Sequence, residues 1–168
     1  MKKSLVLLLI SSLVSGLYAR QPRTVVEPPF AFRNSGTLEI KRIELAPEST
    51  TVYIQAYFRP HNWIRISSET YIRAGAEGEK LTVRSADGMP LDTEFYMPET
   101  GRHDFSLSFP PVDPKTAKID LIESDCPDCF KIYDIDLTGK KAKPGRSALA
   151  KKYKKTVPLT ENFTAPIV

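Results

Sequence analysis

The chain is poor in the residues that carry enzyme chemistry. Its 168 residues include two cysteines, two histidines and one tryptophan. It has no G-x-S-x-G, no H-E-x-x-H and no glycine-rich phosphate loop, which excludes the common nucleophile-elbow, zinc-protease and nucleotide-binding arrangements. Structural zinc takes four ligands, and one CxxC supplies only two. The remaining candidates, His61 and His103, do not stand at a ligand spacing, so neither a metal nor another cofactor is expected. Long apolar runs are also scarce. The stretch from Leu5 to Leu17 is the longest, short of the roughly 20 residues that cross a bilayer as a helix.

That stretch follows Met1-Lys2-Lys3 and leads to Ala19 before Arg20-Gln21-Pro22. A basic start, a short apolar core and a small residue form a secretory signal peptide. Residues 1–19 are therefore expected to be removed, with cleavage after Gly16 as the alternative site. No cysteine lies near either position, so lipid anchoring through an N-terminal cysteine is not expected. These features predict a periplasmic or secreted protein in an oxidising compartment.

About 149 residues then remain, the usual size of one domain. Charge is unevenly divided. From Gly139 onward eight Lys or Arg face Glu161 alone, giving the tail +7; removing these and the two signal lysines from the overall +4 leaves −5 on residues 20–138. The basic pI therefore describes a tail on an acidic body and does not argue for nucleic acid. Within the tail, Ser147 is placed to cap a short helix over 147–156. Its lysines Lys151, Lys152, Lys154 and Lys155 would lie opposite Leu149, Tyr153 and Val157. Such a basic amphipathic segment suits an anionic membrane surface or an acidic partner; the alternative is a frayed, solvated tail.

Between these ends the pattern is β. Thr50 to Phe58 alternates Val52, Ile54, Ala56 and Phe58 with Tyr53, Gln55 and Tyr57, the period of two that defines a half-buried strand. Similar runs fall at 37–45, 63–66, 70–73, 80–85, 93–96, 102–109, 118–122 and 130–137, separated by Pro-, Gly- and Asp-rich turns. The phase of Leu38, Ile40, Ile43 and Leu45 breaks at Lys41-Arg42, which predicts a bulge. Phe105, Leu107 and Phe109 should bury one face of their strand. Short strands without intervening helices predict an all-β fold, an antiparallel Ig-like sandwich of about seven to nine strands, over residues 20–138. Trp63 is expected to anchor its core. The alternative is an aromatic cage in which Tyr57, Trp63 and Tyr71 bind a ligand.

Cys126-Pro127-Asp128-Cys129 fits a type I turn, whose first and fourth Cα atoms come within disulfide reach. Strand-like residues on both sides make it the tip of a hairpin, and a disulfide staple is the favoured reading. Redox catalysis by Cys126 and Cys129 is the alternative. It lacks the helix N-terminus that stabilises a thiolate, and Asp125 and Asp128 would oppose one. The carboxylates Asp120, Glu123, Asp125, Asp128, Asp134 and Asp136 crowd the same hairpin but do not follow a calcium-loop spacing.

Several stretches together carry a resemblance: Tyr57-Phe58-Arg59-Pro60 with Trp63-Ile64-Arg65-Ile66, Ser85-Ala86-Asp87-Gly88-Met89-Pro90-Leu91, Phe95 to Gly101, Phe105 to Pro111, and Ile119 to Glu123 with Phe130 to Tyr133. Over about residues 37–137 the chain resembles the N-terminal β-sandwich domain that precedes TlpA-like thioredoxin domains in envelope proteins of anaerobic Gram-negative bacteria. The resemblance implies a non-catalytic binding or accessory module of the cell envelope with a protein partner. Two departures stand out. A basic tail occupies the place of the thioredoxin domain, and the cysteine pair falls where the family's hairpin turn carries acidic residues and glycine.

Overall fold

The computed structural model describes residues 22–139. The expected signal peptide at 1–19 and the expected short helix at 147–156, including Lys151, Lys152, Lys154 and Lys155, lie outside them.

Alternating apolar residues build two antiparallel five-stranded sheets. The first has the order β1-β3-β4-β10-β8, formed by β1 (Arg23–Val26), β3 (Leu38–Leu45), β4 (Thr50–Tyr57), β10 (Arg102–Phe109) and β8 (Ser85–Asp87). The second has the order β2-β12-β11-β6-β7, formed by β2 (Phe32–Arg33), β12 (Lys131–Asp136), β11 (Lys118–Ile122), β6 (Tyr71–Arg73) and β7 (Leu81–Thr82). A two-stranded ribbon pairs β5 (Trp63–Ile64) with β9 (Phe95–Tyr96). The described residues contain no helix. The fold is all-β and sandwich-like, as the sequence predicts.

One buried cluster joins the sheets: Ile43, Val52, Ile54 and Leu107 from the first meet Ile72, Ile119, Leu121 and Ile135 from the second. The alternation in β4 and β10 holds residue by residue. Val52, Ile54 and Ala56 are buried, as are Phe105, Leu107 and Phe109, while Tyr53, Gln55 and Tyr57 occupy the other face. The bulge also falls where the phase breaks, since the β3–β4 register shifts between Ile40 and Arg42.

Three strands escaped the sequence reading. β1 and β2 lie among prolines in a segment with little alternation. The run at 80–85 divides instead of forming one strand: β7 pairs with β6, the chain crosses between sheets at Val83-Arg84, and β8 pairs with β10. Val83 N donates to Thr70 O and Arg84 N to Ser108 O, so the crossing residues change partners one after the other.

The second sheet buries part of its outer face as well. Phe32, Tyr71, Ile122 and Tyr133 form a separate cluster there. Beside it Asp120 is 3% exposed and pairs with Arg73 at 3.2 Å. Its other oxygen accepts the Asp134 N–H at 3.0 Å. Asp134 has φ of 54° at the point where two β12 residues face Asp120, so a buried carboxylate fixes this bulge.

Candidate functional site

Trp63 does not anchor the core. It is 47% exposed, and the expectation of core packing is overturned. The cause lies in the phase of β5. Ile64 and Ile66 are buried at 8% and 2%, which turns Trp63 and Arg65 to the wet side. Trp63 is the strand partner of Tyr96, and Ile64 of Phe95. Directly opposed residues project from the same side of a ribbon. Trp63 therefore shares its face with Tyr96, which is 60% exposed and donates its hydroxyl to Glu94 at 2.9 Å.

A cleft of about 430 Å³ opens beside Trp63. Its lining includes the five consecutive residues Asn62 to Ile66. Successive strand side chains point to opposite faces, so five in a row border one cavity only where the backbone edge faces it. The hydrogen bonds fix which groups lie on that edge. Met97 N donates to Asn62 O and Asp92 N to Ile66 O, so the even-numbered carbonyls turn toward the segment that carries β9. By alternation, the N–H and C=O of Trp63 and Arg65 turn away from β9. Among the described strands β5 pairs only with β9, which leaves this second edge open.

Leu38, Phe58 and Phe130 give the cleft apolar walls, and Glu123 and Asp128 give it carboxylates. Glu123 Oε2 accepts Phe130 N–H at 3.2 Å. Burial pushes its carboxyl above the ordinary range, against the opposing pull of the Phe130 and Ser67 amides and of Arg65 and Lys131.

The cysteine turn forms the neighbouring rim. Cys126 and Cys129 are disulfide-bonded with Cα atoms 5.3 Å apart. They sit between β11 and β12, as the hairpin reading requires, and neither Pro127 nor Asp128 has a positive φ, in keeping with a type I turn. Side chains hold the turn in place. Asn34, fully buried, donates Nδ2 to Cys129 O at 2.9 Å and accepts Lys131 N–H at Oδ1 at 2.6 Å. Lys131 Nζ donates to the carbonyls of Cys126 and Cys129. On the far side Lys80 pairs with Asp125 at 2.8 Å, and Tyr71 donates its hydroxyl to the same carboxylate at 3.0 Å. Lys80 and Tyr71 together hold the Asp125 carboxyl below its ordinary value.

Of the three aromatic residues singled out in the sequence, only Trp63 lines the cleft. Tyr57 lies on the outer face of the first sheet, where its hydroxyl reaches Glu39 at 3.3 Å and also bonds Gln55. Tyr71 is buried in the outer cluster of the second. Tyr96 takes their place beside Trp63. The six hairpin carboxylates do not converge, and among the described residues no group of three His, Cys, Asp or Glu is placed to hold a metal. His61 instead meets Glu99 at 2.7 Å, and His103 Nε2 lies 2.7 Å from Gly88 O. Sequence reasoning missed Tyr96, and it named Glu123 only among the hairpin carboxylates, not as part of a cleft with Trp63. Tyr96 had a signal, since Phe95-Tyr96 opposite Trp63-Ile64 must put two aromatics on one face once the strands pair in that register.

No family model, curated protein or solved structure matches the chain.

Proposed function

We propose that the protein is a non-catalytic binding module of the cell envelope, exported by its signal peptide, that engages a partner protein through the Trp63–Tyr96 ribbon and the adjoining cleft. The observation that carries this reading is the outward placement of both aromatics on a strand pair whose other two residues, the buried Ile64 and the half-buried Phe95, pack on the core. Exposing a Trp and a Tyr side by side forgoes their burial, whereas these residue types dominate the energetic centres of protein interfaces. The cysteine pair supports the same reading as a staple for the cleft rim. Cys126 begins no helix, and its N–H lies 3.3 Å from Ser124 Oγ in a turn, so the helix-terminal amides that activate an exchange thiolate have no counterpart.

A photocrosslinking amino acid placed at Tyr96 in living cells tests the surface. The expected result is a discrete adduct that disappears with Trp63→Ala and is absent when the crosslinker stands at Tyr53 on the outer sheet face. Equal adducts from both positions would remove the assignment. Thiol trapping tests the enzyme alternative: a reduction potential below about −300 mV marks a structural disulfide, and one between about −230 and −120 mV marks an exchange catalyst.

A further inference from the structure

The open edge of β5 identifies the kind of segment the cleft accepts, and this step rests on the protein-binding reading above. Trp63 and Arg65 turn their backbone N–H and C=O groups away from β9, and the residues that carry them border the cleft. An unpaired strand edge in a recess is the receptor geometry for β-strand addition, in which main-chain hydrogen bonds supply affinity and alternate side chains supply specificity. The cleft's side chains divide along the same lines. Leu38, Phe58 and Phe130 form an apolar floor, while the charged lining is Glu123 and Asp128 with the exposed Arg65 beside them, two carboxylates against one cation. The two carboxylates give that wall the acidic excess that suits a basic side chain, and Trp63 adds an aromatic face for its aliphatic stem.

We propose that the edge of β5 receives an extended segment of a partner protein as an added strand, in which apolar side chains seated on Leu38, Phe58 and Phe130 alternate with a basic side chain that meets Glu123 and Asp128. Addition at this edge is self-limiting, because β5 is two residues long.

Trp63 is the only tryptophan in the sequence, so emission from the full-length mature protein reports on the cleft directly. The probes are the blocked pentapeptide acetyl-TVKVT-amide, its counterpart with the central lysine replaced by glutamate, and its counterpart N-methylated at both valines. The lysine peptide should shift Trp63 emission saturably. The glutamate peptide should bind more weakly by about tenfold, the scale of one charge-assisted contact. N-methylation should weaken binding by about tenfold for each backbone donor it removes. Equal binding by the N-methylated peptide would overturn strand addition, and equal binding by the glutamate peptide would overturn the basic requirement. A synthetic peptide of residues 147–157 that displaces the lysine peptide at lower concentration would assign the cleft to the protein's own tail and overturn the partner assignment. If no peptide binds, this inference fails; the binding-module reading survives that failure only if the Tyr96 adduct still depends on Trp63.

Discussion

The β4–β10 pair and the β5–β9 ribbon are both antiparallel and both rich in aromatic or branched residues, yet they distribute them in opposite ways. Along β4 and β10 the aliphatic and phenylalanine side chains face inward, and the outer face, with its half-buried Tyr53 and Tyr57, is tied by polar contacts such as Tyr53 to Glu44 at 3.0 Å and Gln55 to Asp104 at 2.8 Å. In the ribbon Ile64 and Phe95 satisfy the core while Trp63 and Tyr96 face water. The first pair is explained completely by burial. The second is not, and that remainder is what directs attention to recognition.

The contrast makes its strongest prediction on stability. Leu107→Ala, at a fully buried site in β10, should cost about 3 kcal/mol in denaturant unfolding. Within the ribbon Ile64→Ala should cost about 2 kcal/mol. Replacing Cys126 and Cys129 together by serine should cost about 2 kcal/mol or less, because a four-residue ring constrains little of the unfolded chain. The loss of cleft binding in that variant should exceed the loss of stability if the turn acts as a rim.

A pH series sharpens the comparison at Glu123. Its folded-state carboxyl is raised above the ordinary 4.5, so the folded protein holds this proton more tightly than the unfolded chain. The resulting stability is fully present below 4.5 and is lost as pH rises through the folded-state value. Asp120 is raised by burial as well and contributes a slope of the same sign. Glu123→Gln should therefore flatten, without abolishing, the fall in melting temperature between pH 4 and pH 7. The smallest expected effect is the most diagnostic. Trp63→Ala should leave unfolding within about 0.5 kcal/mol of the parent while removing binding. A loss as large as that of Ile64→Ala would return Trp63 to the core and dissolve the contrast.

The long strands were legible in the sequence because burial on one face imposes period two, and the bulge at Lys41 was legible as a break in that period. Two-residue strands carry no period. β2 is therefore set by a partner distant in the chain, and although the runs at 80–85 and 93–96 marked β7 and β9, nothing in Lys80 to Ser85 announces that it divides between sheets. The hairpin staple was readable because turn geometry is local. The cleft was not, because Glu123 just past β11, Leu38 on β3 and Trp63 on β5 meet only through the packing of both sheets. Trp63 was misplaced for a related reason. Its size suggested the interior, but in β5 it is the neighbours Ile64 and Ile66 that decide which side is the interior.

The outermost strands have a consequence for behaviour in concentrated solution. The two sheets end in β1, β8, β2 and β7, and these strands have four, three, two and two residues. Edges this short offer little template for sheet-to-sheet growth, so copies of the sandwich have no register along which to polymerise into fibrils. The proposed receptive edge follows the same rule among the described residues, since β5 is itself too short to pass the pairing on.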